Sequence, residues 1–268
     1  MSTSGYLFQD SPAADSSGGA VMLDALAGTY DPISRQRIRH VGVRADARCL
    51  VIAVGASSIA ATLAEMAHKG EVTATDLDLT PCRRHPRVKL LRHNIVTGPL
   101  PPGPFHIIHV RLLLGHLPPD EREATLDRLV DALAPEGLLV VEEFEPTWQT
   151  SVLSAPDLDE ADRLFGAYHQ AFQAALAGSG NDPRWGRRAH HALRSRGLSV
   201  DTEGITRTWA GGSPACLLPH ATAGVIRDRL IATGMPGPDI DAFRRLLLDP
   251  DLIVKSNLAL SHIGRRAG

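Results

Sequence analysis

Residues 48–76 read RCLVIAVGASSIAATLAEMAHKGEVTATD, and this stretch is the strongest indication of the fold. It opens with a continuous apolar run over 48–54, which is typical of a strand buried on both faces of a sheet. A short turn around Gly55 follows, and the spacing of 58–69 predicts a helix. The β-branched residues of 72–76 predict a second strand. This order of elements predicts two parallel strands joined by a right-handed crossover.

The same alternation extends on both sides of that stretch. Three further strands are predicted, at 88–92, 105–110 and 137–143. Three further helices are predicted, at 21–30, 34–41 and 119–134, the first two separated by a turn at Asp31-Pro32. Strands that alternate with helices predict an α/β fold with a doubly wound, mostly parallel sheet, and we expect seven strands.

Beyond residue 145 the pattern becomes mainly helical. Helices are predicted at 157–177, 187–196, 219–233 and 238–248, and strands at 198–209 and 252–262. The two helices between the late strands are interpreted as a helical lid insertion, with extra scaffold as the alternative. We therefore divide the chain into a flexible N-terminal arm (1–20), a Rossmann-like core with N-terminal helices (21–145), and substrate or lid helices with C-terminal strands of the same domain (146–268).

Composition excludes several classes of function. The 268 residues carry a net charge of −2, which gives no electrostatic reason to expect nucleic acid as a partner. The three cysteines lack CxxC spacing, so neither a disulfide framework nor a zinc site is predicted. No segment approaches the about 18 apolar residues of a membrane span, and residues 1–17 lack the pattern of a signal peptide. We expect a cytoplasmic protein, and the abundance of Ala, Arg, Gly and Pro is typical of bacteria with GC-rich genomes.

The strand ends indicate where a ligand would bind. In doubly wound sheets, ligands lie beyond the carboxyl ends of the strands, where the strand order reverses. The residues that end or follow the predicted strands are Gly55, Asp76, Asn94, Arg111 and Glu143.

Several motifs, taken in order, resemble the class I methyltransferases that use S-adenosylmethionine. The first motifs are YDPISRQRIRHVGV, VTATDLD, VKLLRHNI, FHIIHVRLLLGHLP and GLLVVEEFE, and the later ones are DPRWGRRAHHALRSRGL and WAGGSPA. Together they are similar to a bacterial group that acts on natural products and other small molecules. The resemblance covers the chain beyond about residue 20 and implies S-adenosylmethionine as cofactor.

The resemblance also implies a set of cofactor-binding residues. The turn Gly55-Ala56-Ser57 would lie under the methionine end of the cofactor, where a helix N-terminus presents N–H groups. Asp76 would accept hydrogen bonds from the ribose hydroxyls, and Leu77 would lie beside the adenine. A helix cap or an ordinary loop residue is the alternative for Asp76.

The third and fourth strands add three more candidates. Asn94, followed by Ile95, matches the position that contacts the adenine amino group, where the family more often has Asp. Arg111 is interpreted as a contact to the cofactor or to an anionic substrate, with an ordinary ion pair as the alternative.

The glycine turn departs from the family pattern, which is an acidic residue followed by Gly-x-Gly-x-Gly. Only Gly55 is retained, Ala53 is interpreted as the replacement of the acid, and the loop is predicted to be about two residues shorter. His106 stands where the family often has Asp. Because the hydrophobic framework is intact, we interpret the changes as specialisation. They leave open a modified loop that still binds the cofactor, a fold reused for cyclisation or isomerisation, and an inactive relative that binds a ligand or partner.

Methyl transfer to a hydroxyl group needs a base, and the resemblance places it after the fourth strand. His116 is the first candidate, Glu143 the second and His109 the third, with capping or core roles as the alternatives. Glu142 and Glu143 are predicted to face opposite sides of the sheet, so no metal site is predicted.

The expected partner is a small-molecule acceptor, methylated on O or N, without a membrane or nucleic-acid partner. A homodimer formed through the N-terminal helices is one possible assembly. The substrate pocket is predicted to be lined by aromatic residues and by the loop at 209–213. These aromatic residues are Tyr6, Phe8, Tyr30, Trp148 and Tyr168.

Overall fold

The computed structural model describes residues 17–147 and 151–268. Strands β1 to β10 are Arg48–Ile52, Glu71–Asp76, Val88–Arg92, Phe105–Arg111, Leu133–Glu145, Ser151–Ser154, Ser199–Ile205, Thr208–Ala210, Ile253–Lys255 and Leu258–Arg265. Helices α1 to α8 are Ser17–Val41, Ile59–Met66, Pro119–Asp131, Leu158–Gly178, Trp185–Arg194, Pro214–Val225, Arg227–Ala232 and Gly237–Leu246. A short 3-10 turn, Leu114–His116, follows β4.

The central sheet has seven strands in the order β3-β2-β1-β4-β5-β10-β7. Strand β1 pairs in parallel with β2 and β4, and the pairs β2–β3 and β4–β5 are also parallel. The predicted fold class, a mostly parallel seven-stranded sheet with helices around it, is therefore confirmed. Because the strand order reverses between β1 and β4, the ligand-binding edge of such a sheet lies at the carboxyl ends of these two strands.

The described chain divides into two compact units, and the first contains Tyr30–Glu143, Trp185–Gly204 and Leu260–Gly268. Its inner strands β1, β4 and β5 are buried on both faces, which is why each contains an apolar run. One face packs against α3 and α5 through residues such as Leu126 and Leu193. The other face packs against α1 and α2, through Ile38 and Leu63 among others.

The second unit takes the rest of the described chain and has a core of its own. Helices α4, α7 and α8 supply apolar side chains to this core, where Phe243 is fully buried. Its ring lies edge-on to Phe165 at 5.0 Å and stacks on Tyr168 at 4.4 Å. A small sheet in the order β6-β9-β8 belongs to the same unit.

Several predicted boundaries are wrong. The N-terminal helices form one helix, α1, which begins at Ser17, inside the predicted arm, and continues through Pro32. The predicted strand at 198–209 is two strands, β7 and β8, which belong to different sheets. The predicted strand at 252–262 is likewise divided into β9 and β10, and β6 was not predicted. Within the described residues, no helix combines the length and apolar character needed to cross a membrane.

Candidate functional site

The loop between β1 and α2 keeps the backbone of a glycine-rich turn with few glycines. Ala53 and Gly55 have positive φ angles of 54° and 48°, and the Ser57 N–H donates to the Val54 carbonyl at 3.0 Å. Positive φ is a conformation that glycine adopts most readily, so Ala53 has a glycine-like backbone here. The two residues before it, Val51 and Ile52, are apolar and buried.

Asp76, at the end of β2, joins the carboxyl ends of the first two strands. Its Oδ2 accepts a hydrogen bond from the Gly55 N–H at 2.9 Å, and its Oδ1 accepts one from the Asp78 N–H at 3.2 Å. The next residue, Leu77, has 59% of its surface exposed, which is unusual for a large apolar side chain. The structure therefore places Gly55, Asp76 and Leu77 at the same edge of the sheet.

Asn94 and Ile95 belong to a turn after β3. The Asn94 Oδ1 accepts hydrogen bonds from the Val96 N–H at 2.9 Å and the Thr97 N–H at 3.4 Å. Both bonds use the carbonyl that was expected to face the adenine amino group. Ile95 is buried in the core between the sheet and α3, so its side chain has a packing role.

Arg111, at the end of β4, forms a buried ion pair whose partner the sequence did not reveal. Its Nη2 lies 2.8 Å from Oδ1 of Asp31 on α1, and both side chains are less than 10% exposed. The Asp31 carboxylate also accepts hydrogen bonds from Ser57 and Ser58 at the start of α2. Burial alone would raise the pKa of Asp31, but the charge of Arg111 and the hydrogen bonds of Ser58 outweigh it and lower the pKa. Arg111 thus forms an ion pair, the alternative interpretation of this residue, and the pair lies beside the glycine turn.

His109 is buried on the face of the sheet that α1 covers. Its Nε2 lies 3.0 Å from Oε2 of Glu142, which also accepts a hydrogen bond from Ser34. Burial would raise the pKa of Glu142, but His109, Arg111 and Ser34 together hold it at about 2. With 2% of its surface exposed, His109 packs against the Glu142 carboxylate on this face of the sheet.

Glu143 faces the opposite side of the sheet from Glu142, as predicted. Its Oε1 accepts hydrogen bonds from the N–H groups of Leu114 (3.1 Å) and Gly115 (3.4 Å) in the turn after β4. Burial raises the pKa of Glu143 to about 7, although these N–H groups act in the opposite direction. His116, half-buried, ends the same turn. The structure therefore brings Glu143 and His116 to one turn and leaves His109 on the other face.

Arg122 bonds to the turn after β4 and packs over the ring of Trp185. The buried Arg122 guanidinium donates to the carbonyls of Leu114 and Leu117, both at 2.9 Å, and lies 4.7 Å from the centre of the Trp185 ring. The indole N–H of Trp185 is buried and has no hydrogen-bond partner among the described residues. Sequence reasoning missed both residues, since neither follows a strand directly.

Of the five predicted aromatic pocket residues, Tyr30 and Tyr168 lie within the described residues. Tyr6, Phe8 and Trp148 lie outside the described residues, and Tyr30 is 4% exposed. Tyr168 packs in the core of the second unit. In the loop at 209–213, the Ser213 N–H donates to the Ala210 carbonyl at 3.1 Å, so this segment is a tight turn. Over the described ranges, no three His, Cys, Asp or Glu side chains are grouped as a metal site would need.

The sequence relatives are methyltransferases that match part of the chain. Methyltransferase str3 of Strobilurus tenacellus is 28% identical over 144 residues, which cover 50% of this chain and 51% of the relative. Methyltransferase str2 of the same organism is 27% identical over 125 residues, covering 46% and 45%. The chain thus spans about half the length of the curated relatives it matches. No protein-family model matches the sequence.

Solved structures resemble the chain over nearly its full length. A Bacillus halodurans protein assigned as a methyltransferase has a TM-score of 0.53 at 13% identity, covering 88% of this chain and 100% of its own. The plantazolicin methyltransferase BpumL, solved with SAH and a desmethylPZN analogue, has a TM-score of 0.50 at 11% identity, covering 99% and 95%. At these identities the similarity establishes the fold. In fold, the chain is similar to these solved methyltransferase structures, as its motifs predict.

Proposed function

We propose that this protein is an S-adenosylmethionine-dependent methyltransferase that acts on a small-molecule acceptor. The two methyltransferases matched in sequence support the activity. The observation that carries the proposal is the contact between the Asp76 carboxylate and the Gly55 N–H, at 2.9 Å. This contact places an acidic side chain beside the turn, at the sheet edge where a doubly wound fold binds its ligand.

The residues at this edge fit the cofactor. Each oxygen of Asp76 accepts one N–H, and a carboxylate has about four acceptor positions, so it can also receive the two ribose hydroxyls. The exposed Leu77 offers an apolar surface for the adenine ring. Asn94 fits less well, because its carbonyl already accepts two backbone N–H groups.

When bound, the cofactor supplies a methyl group on a positively charged sulfur, and the protein's residues orient the acceptor and take its proton. Glu143 is the better candidate for this base. Its pKa of about 7 lets it accept a proton near neutral pH, and the turn that ends in His116 holds its carboxyl group. We therefore place Glu143 before His116, which reverses the order expected from the sequence.

For the acceptor, we propose a natural-product type of small molecule, methylated on oxygen or nitrogen. The similarity to the plantazolicin methyltransferase supports this class. Oxygen transfer agrees better with a base, because a hydroxyl group loses its proton when it is methylated.

Titration calorimetry with S-adenosylmethionine and S-adenosylhomocysteine tests the proposal. We expect binding near micromolar for the native protein. Asp76→Ala should weaken it by about 1–3 kcal/mol, because charge-assisted hydrogen bonds are lost. The matched control is Asp78→Ala, which removes a neighbouring, exposed carboxylate whose Oδ1 accepts from the Thr80 N–H. Absence of binding by the native protein would contradict methyl transfer and favour a fold reused for cyclisation or isomerisation.

A further inference from the structure

Asp31 on α1 holds the two serines that replace the glycine-rich end of the turn. Its Oδ1 accepts a hydrogen bond from the Ser57 hydroxyl at 3.1 Å. Its Oδ2 accepts from the Ser58 hydroxyl at 2.6 Å and from the Ser58 N–H at 2.5 Å. One carboxylate therefore fixes both side chains and a backbone group at the start of α2.

This contact replaces an ordinary helix cap. Ser58 is the N-cap residue of α2, but its hydroxyl donates to Asp31 and does not cap its own helix. An anion near a helix N-terminus is favourable, because the first N–H groups lack partners within the helix. Asp31 provides that anion from a residue 27 positions earlier in the chain.

Arg111 keeps the carboxylate charged and connects it to the sheet. Its Nη2 lies 2.8 Å from Oδ1 of Asp31, and its Nη1 donates to the Ser34 hydroxyl at 3.0 Å. The turn is thus attached to α1 and to the end of β4. Its other end is attached to β2 through Asp76.

We propose that Asp31 is a positioning residue for the methionine end of the cofactor. It holds Ser57 and Ser58 in place from α1, and so maintains a turn whose own glycines are reduced to one. The inference rests on the proposed function, since it requires that this turn binds the cofactor. The same turn includes Ala53 at positive φ, a conformation that persists only where the surrounding structure holds it.

The test uses S-adenosylhomocysteine as the probe and the full chain. Asp31→Asn removes the charge and turns an amide N–H₂ toward donors, so we expect the Kd to rise about tenfold or more. The matched control is Arg37→Met. Arg37 also lies on α1, but it pairs with Asp201 at 2.6 Å and Glu203 at 3.0 Å. We expect that control to change the Kd less than twofold, because it loosens α1 without touching the turn.

A double-mutant comparison separates positioning from general stability. Ser57→Ala should raise the Kd alone, and adding it to Asp31→Asn should raise the Kd little further, since both remove the same contact. Adding Arg37→Met to Asp31→Asn should give only the product of the two single effects. Amide hydrogen exchange at Ser57 and Ser58 should accelerate in Asp31→Asn and stay unchanged in Arg37→Met.

The outcomes distinguish the two proposals. If the native protein binds S-adenosylhomocysteine and Asp31→Asn binds it equally well, the role of Asp31 is overturned and the proposed function stands. If the native protein does not bind it, both are overturned. If Asp31→Asn does not fold, Ser57→Ala and Ser58→Ala carry the test, and an unchanged Kd in both overturns the inference.

Discussion

Replacing Glu143 with Gln tests the protonation state of the carboxyl group that we propose as the base. Burial raises its pKa from 4.5 in an ordinary environment to about 7. Below pH 4.5 both the folded and the unfolded chain carry the proton, and the stabilisation from this group is fully present. As the pH rises toward 7, the unfolded chain releases the proton first, so this stabilisation is lost. The whole loss is about 3 kcal/mol, from about 1.4 kcal/mol for each pKa unit.

Glutamine cannot ionise, and its side-chain carbonyl can still accept the N–H groups of Leu114 and Gly115. The free energy of unfolding of Glu143→Gln minus that of the native protein should therefore increase by about 2–3 kcal/mol between pH 5 and pH 8. Urea unfolding at several pH values, followed by circular dichroism, measures this difference. The sign matters, because the variant gains relative stability as the pH rises.

The neighbouring residue provides the control. The pKa of Glu142 is held at about 2, so its carboxyl group is ionised in both states above about pH 6. The stabilisation that the ionised Glu142 carboxyl group contributes is present above pH 4.5 and is lost only as the pH falls toward 2. The stabilisation that Glu142→Gln removes should therefore shrink as the pH falls from 4.5 toward 2, which is a different window from that of Glu143. If the Glu143→Gln difference is flat between pH 5 and pH 8, the reasoning about its burial is refuted.

Two further predictions concern packing and can be checked by urea denaturation. Gly70→Ala should lower the free energy of unfolding by about 1–3 kcal/mol, because an added Cβ would lie 2.0 Å from the Ala47 carbonyl oxygen. Gly166→Ala in α4 is the control: its added Cβ would meet nothing within 4 Å, and the free energy of unfolding should rise by about 0.5–1 kcal/mol. Equal effects at the two glycines would contradict this close approach. Phe243→Ala should lower the free energy of unfolding by about 3–5 kcal/mol, because the ring is fully buried. The control is Leu248→Ala: Leu248 is 47% exposed, so the free energy of unfolding should change by less than about 1 kcal/mol. A loss below 1 kcal/mol at Phe243 would argue against the core of the second unit.

The parallel half of the sheet could be predicted because its signals are local. Strands β1, β4 and β5 are buried on both faces, so each contains an apolar run that can be recognised in the sequence. Asp76 and Gly55 were found for the same reason, since each follows such a run directly. Helix α1 was divided wrongly because Pro32 usually ends a helix, whereas here the helix continues through it.

The rest depends on contacts that are distant in sequence. Strand β8 pairs with β9, more than 40 residues later, and nothing local separates it from β7. The role of Asp31 depends on Ser58 and on Arg111, 27 and 80 positions away. Read locally, an Asp-Pro pair indicates only a turn, and its charge gains a function when the tertiary fold brings these residues together.

Strand β5 places two adjacent carboxyl groups in opposite chemical surroundings. At Glu142 the neighbouring His109, Arg111 and Ser34 outweigh burial and lower the pKa, whereas at Glu143, beside the apolar core that includes Trp185, burial outweighs its hydrogen bonds and raises the pKa. A one-residue slip would exchange the two faces and move the charged group into the apolar one. The register of β5 is thus specified by charge as well as by hydrophobic pattern. Folding intermediates in which β5 pairs in the wrong register would be disfavoured more strongly at neutral pH than in acid.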